Sequence, residues 1–481
     1  MLTDELKYRI RQALGFPPTD EQERALGVFA DFMTDRREQV VMILRGCAGT
    51  GKTTLAGAIV RALDALGQKM MLLAPTGRAA KVLSLHAGQA ASTIHRRIYR
   101  QKTAADLFST FSLNVNLHHD TLFIVDEASM ISVGEGLLDD LVQFVYNGNN
   151  CRMLLIGDKA QLPPVGEDES PALSASVLRA YGLHVSEADL NEVLRQAQAS
   201  GILYNATKIR GYGGNLAPSH PRTPVLPKIH LDGFPDISVV PGDELIESLS
   251  TSYSHVGLDE TMVVTRSNKR ANIYNQGIRN TVLGREDELC RGDRLMIVKN
   301  NYYWTTVPQN SQQESSPSSS QIDFLANGDI AVVQRVRNVH EVHGFRFAEV
   351  TLQFPDYDDY ELTATTLLDT LTAEAPALTR EQQEQLFESV MADYADIPHK
   401  TDRLKKLKTD RYYNALQVKF AYAVTCHKAQ GGQWAHIYVD QGYMTDDMLT
   451  PDYYHWLYTA FTRATERLFL VNWPKTQISD T

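Results

Sequence analysis

Gly46-Cys47-Ala48-Gly49-Thr50-Gly51-Lys52-Thr53 satisfies the phosphate-binding pattern GxxxxGK[ST] at every fixed position. It lies between an apolar, β-prone run, Val40-Val41-Met42-Ile43-Leu44, and a helically periodic one from Thr54 to Leu63. Strand, loop and helix in that order form a cradle for a nucleoside triphosphate. Gly46, Gly49 and Gly51 can take backbone angles that turn successive N–H groups toward an anion, and the following helix adds its positive N-terminal end. Lys52 then reaches the β- and γ-phosphates and the Thr53 hydroxyl ligates Mg²⁺, with Ala48, Thr50 and Thr54 completing the nucleotide-contacting set. The motif leaves open what work the hydrolysis drives.

Composition narrows the classes. A chain of 481 residues is long for one core, so two or more domains are expected, and 43% hydrophobic residues suffice to bury them. The net charge of -11 argues against a protein that coats nucleic acid by bulk electrostatics, so any nucleic-acid path must be a local groove. Cys47, Cys151, Cys290 and Cys426 are far apart and form no CxxC pair, which suggests neither a zinc site nor a disulfide framework. The first residues begin an amphipathic charged helix, and no apolar run approaches membrane-spanning length, so the expectation is a cytoplasmic protein in reducing surroundings.

From about 16 to 190, short buried strands alternate with helices, the pattern of a parallel sheet covered on both faces. Val40–Leu44, Met70–Ala74, Thr121–Val125 and Met153–Ile156 are the strand candidates, which puts the chemistry at their carboxyl ends. Alternation resumes with Met262-Val263-Val264-Thr265 and the helical stretch Asn268 to Arg279. An insertion follows, with β-rich stretches at Gly292–Val298 and Asn327–Val333, a Ser/Gln-rich loop at Gln309–Gln321, and a charged helical part from Thr379 to Thr409.

Leu122-Phe123-Ile124-Val125-Asp126-Glu127 is an apolar strand ending in adjacent carboxylates. Behind a phosphate loop, Asp126 takes the metal, and Glu127 is placed to polarise the attacking water as general base. Gln161, in Gly157-Asp158-Lys159-Ala160-Gln161-Leu162-Pro163-Pro164, carries a neutral amide that can bond both a phosphate oxygen and a neighbouring domain, which makes it a γ-phosphate sensor candidate. A proline-stiffened surface loop is the competing reading.

These motifs, with Ala74-Pro75-Thr76-Gly77-Arg78-Ala79-Ala80-Lys81, Tyr422-Ala423-Val424-Thr425-Cys426-His427-Lys428-Ala429-Gln430-Gly431 and Tyr458-Thr459-Ala460-Phe461-Thr462-Arg463-Ala464, occur in an order that resembles superfamily 1B DNA helicases of the RecD and phage Dda type. The resemblance covers nearly the whole chain. It implies an α/β fold with two RecA-like P-loop domains, parallel sheets flanked by helices, and ATP between them. It also implies a small β-hairpin 1B insertion, an SH3-like β-barrel 2B insertion, and 5′ to 3′ movement on single-stranded DNA. The boundaries so implied are 1–97 and 121–190 for domain 1A, 98–120 for the 1B pin, 191–285 and 415–481 for domain 2A, and 286–414 for domain 2B. A monomer acting on single-stranded and forked duplex DNA is expected, with ATP and Mg²⁺ as cofactors. A translocase that displaces proteins without unwinding, and an NTP-switched regulatory binding protein, are the rival readings.

Carried over by position, Gln22 resembles the adenine-reading glutamine, and Thr76, Thr93 and His95 resemble residues that bind the DNA backbone. Capping a helix is the other role open to these residues, Thr76 included. Thr425, His427 and Lys428 match the family's DNA-binding and coupling motif. Gln433 stands where relatives often carry Glu, a position associated with the nucleotide sugar. Arg463 resembles the arginine finger that reaches the γ-phosphate across the cleft, and Arg195 a second one. Such a finger is worth roughly a thousand-fold in turnover because it cancels charge that develops in the transition state. Phe108 and Phe111 are the aromatic candidates for the strand-splitting pin, with packing inside the hairpin as the alternative. The cluster Arg403-Leu404-Lys405-Lys406-Leu407-Lys408 either touches displaced DNA or is a solvated face.

Overall fold

The computed structural model describes residues 2–101, 111–134, 136–194, 199–213, 225–306, 324–445 and 448–479. Eighteen strands are named here in chain order. In the N-terminal half these are β1 (Val40–Gly46), β2 (Lys69–Ala74), β3 (Ala91–Thr93), β4 (Tyr99–Gln101), β5 (Phe111–Leu113), β6 (Thr121–Val125), β7 (Arg152–Gly157) and β8 (His184–Leu190). In the C-terminal half they are β9 (Ile237–Val240), β10 (Thr261–Thr265), β11 (Arg294–Ile297), β12 (Ile330–Val342), β13 (Phe345–Phe354), β14 (Tyr360–Leu367), β15 (Leu416–Phe420), β16 (Ala423–Thr425), β17 (Trp434–Asp440) and β18 (Ala464–Val471).

The first sheet is parallel, in the order β3-β2-β6-β7-β1-β8. Helices cover both faces, and the period-2 alternation of side chains divides each strand between two cores. Val40, Met42 and Leu44 face one core, with Leu26, Phe29 and Ile59 from helices Asp20–Thr34 and Lys52–Ala65. Val41 and Ile43 face the other, with Leu138, Leu141 and Val145 from helix Leu137–Tyr146. This double coverage makes the strands read as unbroken apolar runs. The four sequence-predicted strands are present, and β3 and β8 extend the sheet at its edges. β4 and β5 pair as an antiparallel hairpin beside it. The expected pin residue Phe108 and the side chain of Phe111 lie outside the described residues, as do the whole Ser/Gln-rich loop and Arg195.

A second parallel sheet runs β16-β10-β17-β18-β9, and β11 to β15 close a barrel. Two RecA-like α/β layers with a small barrel inserted in the second are therefore the architecture, as the resemblance implied. One boundary moves. The chain was expected to return to the second domain at 415, but β15 pairs with β11 and β14 and completes the barrel, so the sheet resumes with β16. One continuous core joins barrel residues Leu295, Val333 and Val418 to Val263, Tyr438 and Phe469 of the second sheet. The Arg403–Lys408 cluster falls on helix Lys400–Lys408, which presents most of its charges to solvent and buries Leu407. Among the described residues, no helix is long and apolar enough to cross a membrane.

Candidate functional site

The phosphate loop joins β1 to helix Lys52–Ala65. Gly49 and Gly51 have φ of +78° and +75°, the left-handed region that glycine alone enters without strain, and Gly51 is the helix N-cap with no side-chain cap. The first-turn N–H groups of that helix have no intrahelical partners, which is the physical basis of anion binding there. A Cβ on Gly46 would lie 2.9 Å from Thr50 Oγ1, so the close approach also demands glycine. The Thr50 side chain turns inward and closes the loop on the Cys47 carbonyl at 2.8 Å, while Lys52 Nζ donates to the Gly46 carbonyl at 3.2 Å. Thr54 is exposed on the first helical turn.

Gln22 is fully buried against the loop, with Nε2 donating to the Thr50 carbonyl at 3.1 Å. Its Oε1 accepts from the Thr19 N–H and its own N–H donates to Thr19 Oγ1, a capping box that fixes the helix start. Gln22 is thus held at the loop, with part of its amide committed to the protein.

Asp126 and Glu127 follow β6, next to β7 in the sheet and one strand from β1. Burial, and then the neighbouring Glu127, push the Asp126 carboxyl up to about 6. Glu127 has φ of +52°, a conformation non-glycine residues rarely hold, and its N–H donates to Asp126 Oδ1 at 2.9 Å. Asp126 and the Thr53 hydroxyl offer hard oxygen donors, and a buried carboxylate raised by a second one is relieved by a divalent cation. The donor set fits Mg²⁺. Among the described residues no group of three or more His, Cys, Asp or Glu could hold a metal ion.

Gln161 follows β7 and is almost wholly buried. With its amide oriented by its neighbours, it donates to Glu127 Oε2 at 3.3 Å and accepts from Arg463 Nη2 at 3.2 Å. Arg463 belongs to the second domain and is only 2% exposed. It is fixed by Nε to the Thr459 carbonyl and Nη1 to the Gly432 carbonyl, both at 3.1 Å, and Nη1 stands 4.0 Å from Glu127 Oε1. The two halves of the chain therefore meet at one polar centre of Glu127, Gln161 and Arg463. Gln433 follows Gly432 with an exposed side chain, and its carbonyl accepts from Arg78 Nη2 at 2.7 Å.

The residues expected to meet nucleic acid cluster at the sheet edges instead. Thr76 follows β2, Thr93 ends β3 and Thr425 ends β16, and a Cβ on Gly431 would lie 3.2 Å from Thr76 Oγ1, so the two edges abut. The Thr76 hydroxyl caps helix Gly77–Ala87 by accepting from the Ala79 N–H at 3.2 Å. The Thr93 hydroxyl is buried and caps the next helix by accepting from the Arg96 N–H at 3.3 Å, the capping role that its sequence position also allowed. His95 packs between the rings of Tyr99 and Phe324, and burial lowers its pKa, favouring the neutral imidazole. His427 is exposed, and Lys428 Nζ contacts Asn327 Oδ1 of the barrel.

Sequence reasoning assigned no role to Tyr458, Thr459, Asp158, Arg78 or Trp434, all of which bridge the two α/β domains. The spacing of His455, Tyr458 and Thr459 on one face of helix Pro451–Phe461 was the available signal.

Residues 19–212 match the family described as an AAA domain, and residues 420–471 match the UvrD-like helicase C-terminal domain. The chain is similar to the ATP-dependent RecD2 DNA helicase of Deinococcus radiodurans, 34% identical over 166 residues, which are 34% of this chain and 21% of that protein. It is also similar to the ATP-dependent DNA helicase Dda of Enterobacteria phage T4, 23% identical over 431 residues, covering 86% of this chain and 90% of that one. Among solved structures, the Pif1 helicase from Bacteroides in complex with ADP-AlF3 and single-stranded DNA aligns over 97% of this chain and 95% of its own, at 15% identity and a TM-score of 0.46. The two matched families fall on the two α/β domains, and the likeness to Dda spans both.

Proposed function

We propose that this chain, whose halves carry the superfamily 1B pattern of RecD- and Dda-type helicases, is an ATP-driven motor that moves along single-stranded DNA and separates duplex strands. The observation that carries the reading is the bridge from Arg463 in the second domain through Gln161 to Glu127 in the first. A site divided between two domains changes when they move, so hydrolysis and domain motion are linked. A regulatory switch needs only one such domain.

On this reading Lys52 and the loop N–H groups hold the phosphates, Gln22 lies at the base, and Glu127 orients and deprotonates the attacking water. Mg²⁺, held by Asp126 and Thr53, would supply charge neutralisation at the β- and γ-phosphates. Arg463 adds a cation where charge develops, and Gln161 reports the γ-phosphate to both domains. Thr76 on one edge and Thr425, His427 and Lys428 on the other are the strand grips, and the β4–β5 hairpin is the wedge. Movement from 5′ to 3′ follows from the family resemblance.

The test is steady-state ATPase activity with and without single-stranded DNA, followed by strand separation on a forked duplex with a 5′ tail. DNA stimulation of at least tenfold and unwinding are expected. No stimulation would sink the motor reading, and stimulation without unwinding would leave a translocase.

A further inference from the structure

Helix Pro451–Phe461 of the second domain lies on the loop after β7 of the first, and the contact has a regular geometry. His455, Tyr458 and Thr459 recur at three- to four-residue spacing, one face of a helix. Their partners, Asp158, Ala160 and Leu162, lie on the turn after β7, which the Gln161 N–H closes on the Asp158 carbonyl at 3.3 Å. His455 Nδ1 donates to the Ala160 carbonyl at 2.9 Å, and Thr459 Oγ1 accepts from the Leu162 N–H at 2.8 Å. Tyr458 Oη donates to Asp158 Oδ2 at 2.5 Å.

Tyr458 does more than its neighbours. Its hydroxyl also accepts from the Ala48 N–H at 2.8 Å, so one buried oxygen of the second domain joins the phosphate loop to the carboxylate after β7. Asp158 is itself fixed, its Oδ1 accepting from the Ala160 N–H at 2.9 Å. Leaving a buried N–H or carboxylate oxygen unpaired is costly, so each member holds the others in place. One helical turn further on, the same helix end carries Arg463 to Glu127.

We propose that Tyr458 is a positioning residue that ties the shape of the phosphate loop to the seating of Arg463, so that nucleotide on the first domain is sensed by the second. This inference rests on the motor reading above and adds the element that transmits the nucleotide state. The contacts expected to hold the triphosphate in the ground state, Lys52, Thr53 and the helix N-terminus, belong to the first domain and do not involve the Tyr458 hydroxyl. Loss of the Tyr458 hydroxyl therefore spares ATP affinity and weakens the closed cleft.

The experiment compares wild type with Tyr458→Phe, which keeps the ring, and with Asp158→Ala and the double variant. For Tyr458→Phe the KM for ATP is expected within about twofold of wild type, with DNA-stimulated kcat at least tenfold lower. The double variant should lose no more than about twofold beyond the worse single, because both changes break one hydrogen-bonded unit. Closure is read separately, as energy transfer between dyes on exposed positions of the two domains when a non-hydrolysable ATP analogue is added. Wild type should close and Tyr458→Phe should not. A raised KM with unchanged kcat, losses that multiply in the double variant, or normal closure of Tyr458→Phe would each overturn the proposal. Wild type lacking DNA-stimulated ATPase would instead remove the motor reading, while the closure measurement would still decide the role of Tyr458.

Discussion

Arg78 of the first domain lies over the indole of Trp434 in the second, its guanidinium carbon 4.6 Å from the ring centroid. The same side chain donates to the Gln433 carbonyl at 2.7 Å and stands 3.7 Å from Glu260. Thr76, two residues before Arg78, adjoins Gly431, three before Trp434, so this joint fastens together the two edges assigned to DNA. Gly432 is required beside it, since a Cβ there would come within 2.3 Å of the Trp434 ring.

Arg78→Ala removes a stacked cation worth about 0.5–2 kcal/mol together with a hydrogen bond. The single-stranded DNA concentration that half-saturates ATPase stimulation is expected to rise severalfold, while the KM for ATP stays near wild type. Arg78→Lys should recover little, because an ammonium offers no planar face to the indole. Titration of ATPase rate against DNA measures both; an unchanged half-saturation point would show that the joint does not support the DNA path.

Arg463→Ala is expected to lower ATP turnover by roughly a thousand-fold while leaving binding of a fluorescent ATP analogue nearly intact. Arg463→Lys should be almost as slow. Its single nitrogen cannot reach the Thr459 and Gly432 carbonyls and Gln161 together, as the guanidinium does. Normal hydrolysis by either variant would rule out the finger role.

The nucleotide half of the site was legible because its chemistry is local: the phosphate loop and the Asp126-Glu127 pair each occupy a few consecutive residues at a strand end. The bridging half was not. Tyr458 and Asp158 are 300 positions apart, and nothing in a tyrosine's neighbours reveals so distant a partner. β8 was not among the expected strands because Glu187 and Asp189 break any apolar run, whereas Arg45 pairs with both at the sheet edge, at 2.8 and 2.5 Å. β15 was assigned to the wrong layer because Leu416-Gln417-Val418-Lys419-Phe420 suits a barrel wall as well as a buried parallel strand. Thr93 illustrates a third limit, since a cap and a surface ligand call for the same hydroxyl.

Asp293 anchors the barrel to the second domain through a buried pair with Arg279 at 2.9 Å and through bonds from Arg285 Nη1 and Tyr422 Oη at the same distance. Removing one partner of a buried pair strands the other charge, at a cost of about 3–5 kcal/mol. Asp293→Ala is therefore expected to lower the melting temperature by several degrees, and calorimetry should place the loss in the C-terminal half. A change within one degree would mean that the site relaxes around the missing carboxylate.

Asp329 gives the fold a pH dependence whose sign is opposite to that of an ordinary paired carboxylate. It is buried where the barrel meets the first domain, with Tyr357 Oη donating to Oδ1 at 2.9 Å and the Ala326 N–H to Oδ2 at 2.7 Å. A Cβ on Gly77, at the start of its helix, would lie 2.9 Å from that same Oδ1. Burial raises the carboxyl from 3.8 to about 7. Between those two values the folded chain holds a proton that the unfolded chain has released, so stability falls as pH rises through this window. The full shift corresponds to at most about 4 kcal/mol, lost by about pH 7 and above. Asp329→Asn keeps an acceptor for the Ala326 N–H, and Tyr357 can turn its hydroxyl to accept from the new amide. Thermal melts from pH 5 to 8 should show wild type losing stability relative to Asp329→Asn as pH rises. Parallel curves for the two proteins would show that Asp329 is ionised in the folded chain throughout.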